Sequence, residues 1–250
     1  MSSIGFTKDA GVARIVLARS EKSNAIDMPM AVDMAVAIRA CLAEDVRAVT
    51  VTAEGRMFCV GGDITAFGAA DDASAYVHEL ATGLEEGLRV LADMPRPVIA
   101  GVRGAVAGAG LAVMLTCDVI VASRATKFVM AYPGIGLTPD CGVSYLLPRA
   151  IGQQRALDLA LTGRALDAEE ACAWGLVTEV VDDDEVELRV ADIARTWADS
   201  APAALGQARR LVRQSWDTPR EQQGADESRT IAAAIAEDEA VRLVKSFGSR

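Results

Sequence analysis

The stretch at residues 97–122 reads PVIAGVRGAVAGAGLAVMLTCDVIVA. It contains two short apolar runs, and between them lie a glycine-rich turn and a third apolar segment. The runs at 97–102 and 118–122 are rich in Val and Ile and have the length of strands. Between them, Gly108-Ala109-Gly110 leads into residues 111–115, which form an apolar helix start. A strand, a glycine turn, a helix and a strand in this order predict an α/β fold.

The same alternation extends outward in both directions along the chain. Further strands are predicted at 13–18 and 48–52, with helices at 30–42 and 71–91. From residue 153 onward the apolar residues follow a helical period, with later helices predicted at 168–174, 184–197, 201–216 and 225–247. We therefore predict an α/β core over residues 1–195 and a C-terminal helical region over 196–250.

Two charged groups in this helical region have structural interpretations. The acidic run 182–185 precedes a helix, where negative charge favours the helix N-terminus. Arg209, Arg210 and Arg213 recur at helical spacing, which predicts a solvated face or a subunit contact.

Composition narrows the classes of function. The formal net charge of the 250-residue chain is −10, which opposes binding to nucleic acid and to anionic membranes. Its five cysteines form no CxxC pair and His78 is the only histidine, so neither a metal site nor a Ser-His-Asp triad is indicated. We expect His78 to be a surface residue. The N-terminus lacks the pattern of a signal peptide and no long apolar run occurs, so a cytoplasmic location is expected.

Two glycine turns and one carboxylate are the candidates for chemistry. Gly61-Gly62-Asp63 and Gly108-Ala109-Gly110 can each present backbone amides closely to a ligand atom. Two such amides that converge on a carbonyl oxygen would form an oxyanion hole. The alternative for either turn alone is a tight connection without a ligand.

Asp140 follows Pro139 and precedes an apolar run, a pattern that fits two roles. Aspartate is a preferred N-cap residue, so Asp140 is a candidate cap for a helix that begins near Cys141. It is equally a candidate acid/base group, and the neighbouring glycine turns favour that second role.

Several motifs in a fixed order resemble the enoyl-CoA hydratase/isomerase family, the crotonase superfamily, over essentially the whole chain. They are KSNAI at 22–26, FCVGGDI at 58–64, PRPVIA at 95–100, GAVAGAG at 104–110, IGLTPD at 135–140 and WGLV at 174–177. The resemblance implies a crotonase-like spiral of ββα units followed by C-terminal helices that build a homotrimer or a dimer of trimers. It also implies an acyl-CoA thioester substrate from fatty-acid metabolism. No separate cofactor or metal is implied, because coenzyme A is part of the substrate.

The resemblance assigns roles to individual positions. The backbone amides of Gly62 and Ala109 are expected to hold the thioester oxygen, and Lys22, Ala25 and Ile64 are expected near the nucleotide and pantetheine. Asp63 is expected to bond its own turn and to contact the ligand through its backbone. The remaining candidates for substrate or CoA binding are Gly61, Thr65, Gly108, Tyr132 and Pro139, and residues 65–76 are expected to form a mobile flap over the acyl chain.

Departures from the family pattern bear on the reaction. The two glutamates of the family's hydratases align with Ala112 and Tyr132, and neither side chain replaces a carboxylate in proton transfer. Asp140 aligns with the acid/base aspartate of members that resemble ring-opened phenylacetyl-CoA isomerases. An enoyl-CoA isomerase with the single acid/base Asp140 is therefore the leading hypothesis. A hydratase-type lyase with residual activity and a catalytically silent acyl-CoA-binding protein are the alternatives.

Overall fold

The computed structural model describes residues 2–247, which form two sheets enclosed by helices. The strands in this range are β1 (Ile4–Asp9), β2 (Val12–Leu17), β3 (Ala48–Ala53), β4 (Val98–Val102), β5 (Ala105–Ala107), β6 (Val119–Ser123), β7 (Lys127–Val129), β8 (Ala165–Asp167) and β9 (Glu179–Val181). The helices are α1 (Met28–Ala40), α2 (Ile64–Ala69), α3 (Ala73–Asp93), α4 (Ala109–Leu115), α5 (Val143–Ile151), α6 (Gln153–Thr162), α7 (Ala168–Trp174), α8 (Val186–Asp199), α9 (Pro202–Gln214), α10 (Arg220–Ala234) and α11 (Asp238–Phe247).

From β4 to β7, consecutive strands alternate between two sheets. The larger sheet has the order β1-β2-β3-β4-β6-β9 and is parallel from β2 onward, whereas the smaller sheet has the order β5-β7-β8. A bridge between Cys59 and Val106 adds one residue pair beside β5. The chain therefore repeats a strand in the large sheet, a shorter partner in the small sheet and then a helix, as in β4-β5-α4 and β6-β7-α5. This arrangement confirms the predicted α/β class and its ββα units.

The core lies on both faces of the larger sheet. The main cluster includes Phe58, Phe128 and Leu111, together with buried apolar residues of the larger sheet and of helices α1, α3 and α4. On the opposite face, Val190 and other residues of α8 pack against apolar residues of β2, β3, β4 and β6. Burial of apolar area of this kind is the main stabilising contribution to the fold.

Several predicted boundaries shift for local reasons. The helix predicted at 30–42 begins at Met28, because the side chain of Asp27 caps it by accepting from the Met30 amide at 3.0 Å. The single helix predicted at 225–247 is wrong: α10 ends at Ala234, and α11 starts at Asp238. The acidic run does form a capping box, between Asp182 and Glu185. The proposed boundary at residue 195 falls inside α8.

The interpretation of the α9 arginines as a solvated face or subunit contact is wrong for Arg209 and Arg213. The guanidinium of Arg209 is buried and donates to Asp118 Oδ2 at 2.6 Å and to the carbonyls of Leu91 and Met94. Arg213 also donates to Asp118, at 2.8 Å. These two arginines attach α9 to the end of α3 and to the turn before β6.

None of the helices between residues 2 and 247 combines the length and apolar character needed to cross a bilayer. Over that same span, no group of three or more His, Cys, Asp or Glu side chains is arranged to hold a metal ion.

Candidate active site

A cavity of about 220 Å³ lies where the two glycine turns meet α2, α3 and the segment around Tyr132 and Asp140. Most of its wall is apolar. The apolar lining side chains are Ile26, Val60, Ile64, Phe67, Val77, Leu80, Ala81, Leu84, Ala109, Ala131, Ile135 and Leu137. Of the described residues on this wall, Asp140 alone carries a carboxylate. Such a cavity suits an apolar ligand that presents one reactive polar group.

The two glycine turns are in direct contact with each other. A methyl group at Gly61 would lie 3.1 Å from the carbonyl oxygen of Ala107 and 3.5 Å from the amide nitrogen of Ala109. Both Gly61 and Gly108 have positive φ, at 102° and 53°, which glycine adopts without strain. The turns therefore meet because the strands that lead into them, at Cys59 and Val106, are neighbours in the small sheet.

The amide of Gly62 is directed away from its neighbouring segment. Ile26 donates to the carbonyl of Gly61 at 2.7 Å, and Asp63 donates to the carbonyl of Ile26 at 2.8 Å. In a parallel bridge of this kind, the N–H of the residue between the two bonds points to the opposite side. Ala109 is the first residue of α4, where a helical amide has no carbonyl partner within the helix. Both residues line the cavity.

Asp140 forms a hydrogen bond with Tyr132 instead of capping a helix. The Tyr132 hydroxyl donates to Asp140 Oδ1 at 2.7 Å. Helix α5 starts at Val143 with Gly142 as its N-cap residue, and the amide of Val143 donates to the backbone carbonyl of Asp140. The capping interpretation of the Asp140 side chain is therefore wrong, and the carboxylate faces the cavity.

Tyr132 is held tightly beside the glycine turns. The residue is 7% exposed, and a methyl group at Gly108 would lie 4.0 Å from its Cζ atom. Burial raises the pKa of the phenol, and the negative charge of Asp140 raises it further. Tyr132 consequently keeps its proton and serves as a hydrogen-bond donor to Asp140.

A second carboxylate approaches Asp140 from α3. A methyl group at Gly142 would lie 3.4 Å from Glu85 Oε2, which places Glu85 beside the Asp140–Gly142 turn. Burial raises the pKa of Glu85, Arg89 opposes that shift, and the charge of Asp140 adds to it. The thiol of Cys141 donates to the Ala81 carbonyl at 3.6 Å, and burial together with Asp140 raises its pKa.

Asp63 stabilises the turn that carries Gly62. Its Oδ1 accepts from the amides of Thr65 and Ala66, at 3.0 and 3.3 Å, which caps α2. Its Oδ2 lies 2.8 Å from Arg19 Nη2, and Arg19 also pairs with Asp27 at the start of α1. Asp63 therefore bonds its own turn, as its sequence position predicted.

The structure gathers seven of the twelve candidate residues around the cavity: Gly61, Gly62, Ile64, Gly108, Ala109, Tyr132 and Asp140. The other five, Lys22, Ala25, Asp63, Thr65 and Pro139, lie outside its lining, with Lys22 exposed in a turn before α1. Their assignment to substrate or CoA binding stays a prediction. Ala112 is fully buried within α4 and does not line the cavity.

Sequence reasoning missed most of the cavity wall. Val77, Leu80, Ala81 and Leu84 lie on one face of α3 at helical spacing, a pattern visible in the sequence. Phe67 had no such signal: its ring lies against Gly62, where a methyl group would be 2.4 Å from Phe67 Cζ. Residues 65–76 are largely helical, in α2 and the first turn of α3; their role as a mobile flap over the acyl chain stays a prediction.

Comparison with known proteins gives a consistent result. The sequence profile of the enoyl-CoA hydratase/isomerase family matches residues 7–248. The 1,2-epoxyphenylacetyl-CoA isomerase of Escherichia coli K12 is 36% identical over 210 residues, which cover 82% of this chain and 79% of the relative.

Solved structures agree over nearly the whole chain. A Mycobacterium abscessus crystal structure assigned as an enoyl-CoA hydratase/isomerase superposes with a TM-score of 0.94 at 34% identity, covering 98% of this chain and 96% of the other. A Thermobifida fusca YX protein assigned as an enoyl-CoA hydratase, solved in complex with CoA, has a TM-score of 0.86 at 30% identity, covering 94% and 93% of the two chains.

Proposed function

The chain belongs to the enoyl-CoA hydratase/isomerase family, as its motifs predicted, and we propose that it is an enoyl-CoA isomerase. The observation that carries the proposal is the single carboxylate of Asp140 on an otherwise apolar wall beside the two glycine turns. The CoA complex of the Thermobifida fusca relative supports an acyl-CoA thioester as the substrate.

The proposed reaction moves one proton and one double bond. The carboxylate of Asp140 removes a proton from the α-carbon of a 3-enoyl-CoA, and the electron pair shifts into the thioester to form a dienolate. The amides of Gly62 and Ala109 donate hydrogen bonds to the oxygen that becomes negative. The protonated Asp140 then returns the proton to C4, the thioester carbonyl re-forms, and the double bond lies between C2 and C3.

An Asp140→Asn variant tests this assignment. Asparagine preserves the shape of the side chain but cannot accept the α-proton, so we expect the rate of 3-hexenoyl-CoA isomerisation to fall by a factor of about 10² to 10⁴. The variant should still bind a non-reactive acyl-CoA, measured by calorimetry. Isomerisation at the wild-type rate would exclude Asp140 as the base.

A second candidate, residual hydration of a 2-enoyl-CoA, rests on Glu85. Adding water in this family uses two acidic groups, and Glu85 lies close enough to Asp140 for the two charges to interact. Hydration of crotonyl-CoA by the wild type, lost in a Glu85→Gln variant, would support this candidate. A protein that binds acyl-CoA and turns over neither substrate would instead be a silent binder.

We also propose that residues 196–250 form an oligomerisation region, which builds a homotrimer or a dimer of trimers. Support comes from α10, which has no buried residue within its own chain: Ile231 on the helix is 71% exposed and Ile235, directly after it, is 52% exposed. Exposed apolar side chains on one helix are typical of a subunit contact. Light scattering coupled to size-exclusion chromatography distinguishes a monomer of 26.2 kDa from a trimer or hexamer.

A further inference from the structure

We propose that Tyr132 is a positioning residue, whose phenol holds the Asp140 carboxylate in the orientation that accepts the substrate proton. This inference rests on the proposed isomerase function. It gives a specific role to the residue that occupies the position of a hydratase glutamate.

The geometry around the pair supports a tether. Tyr132 follows β7 and begins a 3-10 turn, with its ring buried and its carbonyl accepting from the amide of Leu137 at 3.0 Å. Residues 133–138 are exposed and pack little against the core. Asp140 thus follows a weakly packed segment, and the 2.7 Å bond from the buried Tyr132 hydroxyl ties its side chain to the core. A base must be held in place to react efficiently, because small displacements from the reactive geometry slow proton transfer.

The charges around Asp140 make this hydrogen bond important. Glu85 faces the carboxylate from α3 and repels it, with Arg89 as the cation that attracts Glu85. The thiol of Cys141 also lies against α3, at the Ala81 carbonyl, and it remains protonated because its pKa is raised. The phenol of Tyr132 also stays protonated, so it donates to the charged form of Asp140 and offsets the repulsion from Glu85.

A Tyr132→Phe variant removes the hydroxyl and keeps the ring over Gly108. Because a hydrogen bond to a charged group is stronger than a neutral one, we expect kcat for 3-hexenoyl-CoA isomerisation to fall about 10-fold to 100-fold. KM should change by less than about threefold, since the substrate does not lose a contact. A fall in kcat at nearly constant KM, in a variant that keeps its thermal stability, is the signature of the positioning role.

The chain offers a matched control. The hydroxyl of Tyr145 donates to Asp217 Oδ2 at 2.6 Å, in a tyrosine–aspartate pair of similar geometry on the surface, away from the cavity. Tyr145→Phe should leave kcat and KM unchanged. Both variants are compared at equal protein concentration, with thermal unfolding as a check of folding.

The outcomes separate this inference from the proposed function. If Asp140→Asn is inactive while Tyr132→Phe keeps the kcat of the wild type, Tyr132 only fills space and the positioning role is refuted. A Tyr132→Phe variant whose loss of activity comes with a matching loss of thermal stability, or with a KM that rises as much as kcat falls, also refutes it, because either result indicates a structural or binding role. If Asp140→Asn turns over like the wild type, the isomerase mechanism itself fails.

Discussion

Replacing Arg209 with leucine should destabilise the protein strongly, because this guanidinium connects α9 to two other parts of the fold. It donates to Asp118 Oδ2 and to carbonyls at the C-terminal end of α3, including those of Leu91 and Met94. Leucine fills part of the volume but removes the guanidinium donor from the carbonyls of Leu91 and Met94 in the interior. Removing one partner of a buried pair typically costs about 3–5 kcal/mol. Arg213 still contacts Asp118 in the variant, so we expect a value near the lower end, about 3 kcal/mol.

Urea unfolding followed by circular dichroism measures this loss, with protein concentration held constant because oligomerisation would otherwise shift the transition. Arg195 provides the control: its side chain is 67% exposed and pairs with Asp192 at 3.8 Å on α8. Arg195→Leu should cost less than about 1 kcal/mol, as expected for a surface pair. If Arg209→Leu costs no more than Arg195→Leu, the buried hydrogen bonds do not attach α9 as argued.

Two further outcomes follow from other contacts. A Gly110→Ala methyl would lie 2.4 Å from the backbone oxygen of Cys59, so we expect the free energy of unfolding in urea to fall by about 1–3 kcal/mol or more. Gly83→Ala is the control: its methyl has no atom within 4 Å, and the variant should be at least as stable as wild type. Hydrogen bonding, chiefly from Arg210, lowers the pKa of Asp226 to about 2. Because this folded-state value lies below the unfolded one, the contribution of Asp226 is present above pH ~4 and is lost as pH falls toward ~2. The stability difference between wild type and Asp226→Asn should accordingly shrink over that pH range, and a constant difference would contradict the assignment.

The glycine turns and Asp140 could be located from sequence because each lies at a predictable point of a repeated unit. Parallel strands that are neighbours in a sheet bring their C-terminal turns together, so Gly61 and Gly108 meet. The alternation of strands and helices along the sequence therefore predicted both the fold class and the centre of the site.

The contacts that were missed have no periodic signal, whether they join residues far apart in sequence or close together. Arg209 lies 91 residues from Asp118, and helical spacing alone does not show which face of α9 is buried. The contact of Phe67 with Gly62 depends on how α2 is set against the turn, which its cap residue Asp63 and Arg19 determine together. Local patterns identify the elements, whereas such contacts depend on how the elements pack.

The replacement of two hydratase glutamates has different consequences at the two positions. Ala112 is buried within α4 and removes an acid without adding any group to the cavity. Tyr132 keeps a polar group in place of the second acid, yet its raised pKa confines it to donating a hydrogen bond. An apolar wall offers few hydrogen-bond partners to a bound water. On the proposed mechanism, the dienolate is therefore protonated by Asp140 and not by water. On this proposal, the position that activates water in the family's hydratases carries in Tyr132 a residue that orients the remaining base, which favours moving a double bond over hydrating it.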